Sequence, residues 1–276
     1  NVEITNDTIT AFGTLTAHKI ETVNLTATDV FTDVTVKDGK DDNNSAQTMT
    51  FTSDTTTALN VAGTAGLDLT LTNASKLVTI DASDMTEGGL TVTANGANAM
   101  TITGGAGADV LTASTGATAK ADTLVGGAGN DTLYAGTNGA SLTGGTGNDL
   151  FVLAATGALT GNKEANTYSS IKDFQAGDLL QLKHFDTTVE LVKGFDKLEA
   201  ALNPGTSSYS DYVNQAILEA GLGEAVWFKF GNNSYVVIDS NTVSSTFTKN
   251  EDLVIELVGV DLTNASFNAD YGTIAL

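Results

Sequence analysis

The sequence predicts a mainly β protein: a parallel β-roll or β-helix, preceded by a Thr-rich β region and followed by a β-rich domain with one or two short helices. Three observations carry this. Short segments alternating apolar residues with threonine fill residues 1–100, three glycine-rich nonapeptides of one template follow within 104–152, and paired strand patterns with tight turns dominate the remainder. The expected division is 1–100, 101–155 and 156–276, and 276 residues are ample for one to three folded units.

In the first region, Ile20–Leu25, Leu67–Leu71 and Leu90–Thr93 alternate, with threonine supplying much of the polar half. Threonine is β-branched and suits a strand facing water, and the chain holds 44 of them. Asp38-Gly39, Ala62-Gly63, Gly88-Gly89 and Asn95-Gly96 punctuate the segments as strand-to-strand turns require. Either stacked solenoid rungs or a sandwich satisfies this pattern. The acidic stretch Asp38–Asn44 lacks the spacing and closing glutamate of an EF-hand loop, so it reads as a solvated hairpin tip.

The nonapeptides are Gly104–Thr112 (GGAGADVLT), Gly126–Tyr134 (GGAGNDTLY) and Gly144–Val152 (GGTGNDLFV). Ala117–Val125 keeps Asp122 and Leu124 but lacks the glycines, and Ala135–Thr143 keeps Leu142 but lacks the aspartate. Nine residues make a half-coil, a tight turn followed by a short strand, and two half-coils return the chain to the same side. Glycines Gly104, Gly105, Gly107, Gly126, Gly127, Gly129, Gly144, Gly145 and Gly147 let the turn backbone take φ > 0 and aim carbonyl oxygens at a common centre. Asp109, Asp131 and Asp149 add hard anionic oxygens suited to calcium, which takes six to eight of them. The eighth residues, Leu111, Leu124, Leu133, Leu142 and Phe151, are expected to stack as a continuous core. With Ala113–Gly116 as a bulge, all three complete motifs fall on one edge, and at least two calcium ions are expected between their aspartates. The opposite edge, with Asp122, is expected to be poor in metal.

Beyond residue 152, Ser170–Leu182 reads as strand, acidic turn, strand, and Asp173 or Asp178 could bind one more calcium or simply form the turn. Helical patches are expected at Lys197–Leu202 and Tyr209–Leu222, the second on the spacing of Tyr212, Val213, Ala216, Ile217 and Ala220. A hairpin of Ala225–Phe230 and Tyr235–Ile238 follows around a Gly231–Ser234 turn, with Trp227, Phe228 and Phe230 as expected core.

Composition excludes several functions. The net charge is −21 from 33 acidic and 12 basic residues, all of the latter lysine, so a nucleic-acid phosphate backbone would be repelled. The absence of cysteine removes disulfides, thiol nucleophiles and zinc ribbons. No run approaches the roughly 18 apolar residues of a membrane helix. The N-terminus shows neither a signal peptide nor an initiator methionine, so a longer parent chain is expected. No HExxH helix, GxSxG elbow or P-loop is present, His18 and His184 share no ligand constellation, and nothing singles out a catalytic carboxylate pair; no enzymatic activity is expected.

The GGxGxDxUx template is that of the calcium-binding repeats of RTX proteins, and the chain resembles RTX proteins exported by bacterial type I secretion. The Ile171-Lys172-Asp173-Phe174 element with Gly177-Asp178, and the apolar C-terminus, share in the resemblance. The Thr/Ala/Gly-rich region ahead of the repeats (Glu21–Ala27, Leu77–Ala94) is similar to the C-terminal part of RTX-type surface-layer proteins such as those of Caulobacter and Campylobacter. That resemblance implies a secreted, calcium-folded β-roll, a secretion signal within the last ~50–60 residues read by the type I machinery, and self-assembly into a lattice on the cell surface. The alternative is the C-terminal export and folding module of a secreted RTX enzyme or adhesin.

Overall fold

The alternating segments resolve into stacked rungs, not a sandwich. The computed structural model describes residues 2–6, 11–29, 47–94, 98–115, 120–136, 139–154, 168–183, 192, 194–200, 202–203, 205–239, 246–247 and 252–276. The Asp38–Asn44 stretch, Asn95-Gly96 and His184 lie outside them. Two compact units are formed, one from 1–114, 118–133 and 144–149, the other from 115–117, 134–143 and 150–276.

In the first unit successive strands pass alternately to two sheets. One has the order β1 (Val2–Asn6), β3 (Thr22–Asp29), β5 (Ala58–Gly63), β7 (Thr79–Met85), β9 (Thr101–Thr103), β11 (Asp122–Ala128). The other has β2 (Ala11–Ala17), β4 (Gln47–Ser53), β6 (Leu67–Thr72), β8 (Leu90–Thr93), β10 (Val110–Thr112) and the first two residues of β12 (Thr132–Ala135). Pairing is parallel from β1 to β11 and from β2 to β10. Parallel strands need a crossover, and here the strand of the opposite sheet supplies it.

Registered pairing turns the alternation into columns. Val23, Leu59, Ile80, Ile102 and Leu124 form one buried column, and Met49, Leu69, Val92 and Leu111 another. Each fully buried aliphatic side chain contributes roughly 1.5–3 kcal/mol relative to exposure. Threonines column on the outer face, Thr14–Thr50–Thr70 and Thr16–Thr52–Thr72. Hydroxyls also stitch the corners: Ser53 Oγ donates to Ala17 O (2.7 Å) and Thr56 Oγ1 to Ile20 O (2.8 Å), satisfying carbonyls where the ladder breaks.

In the second unit, β14 (Leu150–Ala154), β16 (Leu179–Lys183), β22 (Thr273–Ala275) and β21 (Ser266–Asn268) form one sheet, parallel between β14 and β16 and antiparallel thereafter. The other has β15 (Ser169–Ile171), β20 (Leu253–Leu257), β19 (Asn233–Ile238), β18 (Glu224–Phe230) and β17 (Gly194–Lys197). β13 (Ala140–Thr146) pairs with β15 in parallel through Ser141–Ser170 and Leu142–Ile171. The β18–β19 hairpin turns through Gly231-Asn232 alone, with Gly231 at φ 64° in the first turn position, where an L side chain is disfavoured.

The one described helix, α1 (Tyr209–Glu219), starts on a capping box: Ser208 N–H donates to Asp211 Oδ2 (2.7 Å) and Asp211 N–H to Ser208 Oγ (3.3 Å). Its Tyr209, Tyr212, Val213, Ala216 and Ile217 pack on Val226, Phe228, Tyr235, Val237 and Val254. The helix stops short of Leu222 because Ala220 is extended and Gly221 and Glu224 bond each other at the start of β18.

The expected helical patch at Lys197–Leu202 is a correction. Gly194–Lys197 is strand, paired in parallel with β18, and Leu198 N–H donates to Trp227 O (2.9 Å). A six-residue helix closes too few hydrogen bonds to offset nucleation, whereas the β18 edge offers ready partners. Trp227 and Phe228 are buried, as expected of core, and Phe230 is half-buried.

Candidate metal centre

The three nonapeptide turns each lead into a strand of the same kind: Gly104–Asp109 into β10, Gly126–Asp131 into β12, Gly144–Asp149 into β14. They therefore stack on one edge. Asp109, Asp131 and Asp149 are each only 1% exposed. One oxygen of each grips the main chain of the preceding coil. Asp109 Oδ1 accepts from Leu90 N–H, Asp131 Oδ1 from Asp109 N–H (2.8 Å), and Asp149 Oδ1 from Asp131 N–H (2.9 Å). The result is a carboxylate ladder running along the edge.

The second oxygens fold back over their own turns. Asp109 Oδ2 accepts from Gly105 N–H at 2.8 Å. Asp131 Oδ2 is buried with no hydrogen-bond donor. The first glycine of each repeat is what permits this placement. A Cβ on Gly104, Gly126 or Gly144 would lie 2.1, 2.1 or 2.2 Å from the Oδ2 of its own aspartate. Carbonyls converge on the same ground: Gly126 O lies 2.4 Å from the Cβ position of Gly104, and Gly144 O 2.6 Å from that of Gly126.

The other glycines divide. Gly127, Gly129, Gly145 and Gly147 take φ between 104° and 135°, as expected. Gly104, Gly126 and Gly144 do not, and neither do Gly105 and Gly107; in the first repeat these last two answer to close approach instead, a Cβ there meeting Met85 O at 2.6 Å or Glu87 O at 2.2 Å. The difference follows from what lies beneath. The coil under the first repeat is Thr86–Gly89, outside the template, whereas the later repeats stack on another repeat.

Burial without a counter-charge makes the Asp109 and Asp131 carboxylates hard to ionise. It pushes Asp109 up to about 6, against hydrogen bonds from Leu90 and Gly105 that favour the charged form. Asp131 rises to about 7, first through burial and further through the charges of Asp109 and Asp149, opposed by the Asp109 N–H. Among the described residues no three acidic or histidine side chains converge, so a cation on this edge would draw on main-chain carbonyls as well as carboxylates. An orphaned buried oxygen, stacked carboxylates and inward carbonyls form a hard all-oxygen donor set, which fits calcium.

Residues 101–118 and 117–151 match the sequence model of the RTX calcium-binding nonapeptide repeat. These are RTX calcium-binding repeats. The match takes in the two incomplete half-coils as well as the three complete ones. No curated protein matches the chain.

The remaining candidates sit elsewhere. Asp122 begins β11 on the other side of the coil and is fully engaged: Oδ1 accepts from Met100 N–H (2.7 Å), Oδ2 from Ser114 N–H and Oγ (both 2.7 Å). Its carboxylate thus ties the start of β11 to Met100 and to Ser114. Asp178, 1% exposed, accepts from Gln175 N–H (2.9 Å) in the turn between β15 and β16, with Asp173 half-buried at the start of that turn. His18 is exposed, 3.2 Å from Asp54. Leu90, Met100 and Ser114, which hold the buried aspartates, carry no sequence signal, because each lies in another turn or coil. All five eighth-position residues of the RTX segment are fully buried.

Proposed function

We propose that this chain is a structural, calcium-binding surface-layer protein, secreted by a type I system and assembled with copies of itself into a two-dimensional lattice on a bacterial cell. The observation that carries the reading is the buried edge of Asp109, Asp131 and Asp149 in a chain of net charge −21. These aspartates, with Gly126 O and Gly144 O, are the groups that would hold at least two ions. Bound calcium supplies the positive charge that offsets their burial and mutual repulsion. In a low-calcium cytosol the three carboxylates oppose closure of the coils, which keeps the chain open for export. Outside the cell, affinities of roughly 10⁻⁴ to 10⁻³ M, typical of extracellular calcium modules, turn binding energy into folding energy.

Thr-faced rungs stacked in parallel register support the scaffold reading. No described helix is long and apolar enough to cross a membrane. Electron microscopy of the protein dialysed against millimolar calcium is the test. Ordered two-dimensional sheets that dissolve in chelator are expected. A folded monomer that never assembles at any calcium concentration would leave the export-and-folding module as the function.

A further inference from the structure

The second unit carries a groove of about 610 Å³ on the outer face of its β14–β16–β22–β21 sheet. Leu179, Gln181, Asn268, Tyr271 and Thr273 line it, on the side opposite the buried Leu180, Leu182 and Ile274. Its volume lies in the range of small-ligand sites. We infer that this groove binds a neutral oligosaccharide.

Charge narrows the ligand first. None of the groove's lining residues is ionised at neutral pH, in a chain with 33 carboxylates. A cationic ligand finds no carboxylate in the lining, and an anionic one meets a repelling molecule with no lysine in the groove to offset it. A purely apolar ligand would strip water from the amides and hydroxyls without replacing their hydrogen bonds.

The polar groups are set for an uncharged partner with both donors and acceptors. Gln181 Nε2 donates to Tyr271 O (3.3 Å), which fixes the amide and leaves Oε1 open. Asn268 Oδ1 accepts from Asp270 N–H (3.0 Å), which fixes the second amide and leaves Nδ2 open. The lining thus offers one held acceptor and one held donor, the two functions a sugar hydroxyl needs, at little further ordering cost. Tyr271, 63% exposed, and Leu179, 41% exposed, offer a ring and an aliphatic surface for the C–H faces of a pyranose. Phe267 borders the groove and touches Phe195 (5.9 Å), which stacks on Trp227 (6.5 Å), the only tryptophan in the chain. Occupancy therefore has a built-in optical reporter.

The test uses the full chain in millimolar calcium, titrated with cellotriose, maltotriose, mannotriose and chitotriose while Trp227 emission and heat are followed. At least one trisaccharide is expected to bind with a Kd in the millimolar range or tighter. Tyr271→Ala should weaken it about tenfold, Tyr271→Phe should preserve it, and Gln181→Leu should weaken it, all with unchanged circular dichroism. Silence from all four sugars overturns the inference, as does binding that survives Tyr271→Ala undiminished. Selective capture of an extended peptide through the open edge of β21, with no sugar response, would also overturn it. None of these outcomes depends on lattice formation, which is scored separately by microscopy.

Discussion

Asp131 and Asp122 are chemically the same residue, both 1% exposed, and their surroundings give them different work. Asp122 has protein donors on both oxygens, whereas Asp131 keeps one buried oxygen with no donor. Asp131→Asn removes a charge from the ladder and is expected to weaken calcium binding by at least about tenfold, measured by isothermal titration. Asp122→Asn sets an amide NH₂ against either the Met100 N–H or the Ser114 N–H, whichever oxygen it replaces. It should leave calcium affinity within about twofold and lower stability by about 1–3 kcal/mol, read by urea unfolding in calcium. Gly126→Ala tests the ladder from the backbone side. Its Cβ would fall 2.1 Å from Asp131 Oδ2, so the carboxylate must move, and calcium affinity should drop although no ligand atom is removed. The aspartates and their glycines were legible in the sequence because the template places them within one turn. Leu90, which holds Asp109, and Met100, which holds Asp122, were not legible, since they lie about twenty residues away, at a distance set by coil lengths that the template does not specify.

Elements were legible where local chemistry and tertiary contacts agree. Helix α1 has its cap, its periodic apolar face and a buried partner surface, and it forms where expected. Ser208→Ala removes the cap oxygen and the hydroxyl that donates to Asp211 Oδ2, leaving only the Ser208 N–H to hold that carboxylate, and should cost about 1 kcal/mol, seen as a lower Tm of the calcium-loaded protein. The Lys197–Leu202 patch shows the opposite case, in which a short helical signal yields to the edge of β18. The acidic turn after Ile171 shows a subtler limit. Strand, turn, strand describes a hairpin and an arch equally well, and here the strands part: β15 joins β13 and β20, while β16 joins β14 and β22. The pattern of side chains along a strand fixes which face is buried but not which sheet receives it. The same holds for the Thr-rich rungs, where alternation was plain and the choice between solenoid and sandwich was not.

For the molecule as a whole, the net charge of −21 raises the question of which cation matters, and burial answers it. Exposed carboxylates respond to any salt, because the Debye length is about 10 Å at 0.1 M. The RTX edge does not, because its aspartates are withdrawn from solvent and monovalent ions screen them little. Protons are the second competitor. Asp109 and Asp131 have folded values raised from 3.8 to about 6 and about 7, so the metal-free roll binds protons more tightly than the unfolded chain. Its stability must then fall as pH rises from about 4 to about 7, and recover as pH is lowered again. Asp211 and Asp261, lowered by Ser208 and by Lys229 respectively, act in the other direction once pH drops below about 4, which bounds the window. Calcium reverses the trend, because protons compete for the same oxygens. Circular dichroism in chelator should therefore show more strand at about pH 4.5 than at pH 8, sodium chloride should restore little at pH 8, and millimolar calcium should restore the full signal there. Full recovery with sodium alone would mean that the charge acts as a diffuse field and that the aspartate edge has no special claim on a divalent ion.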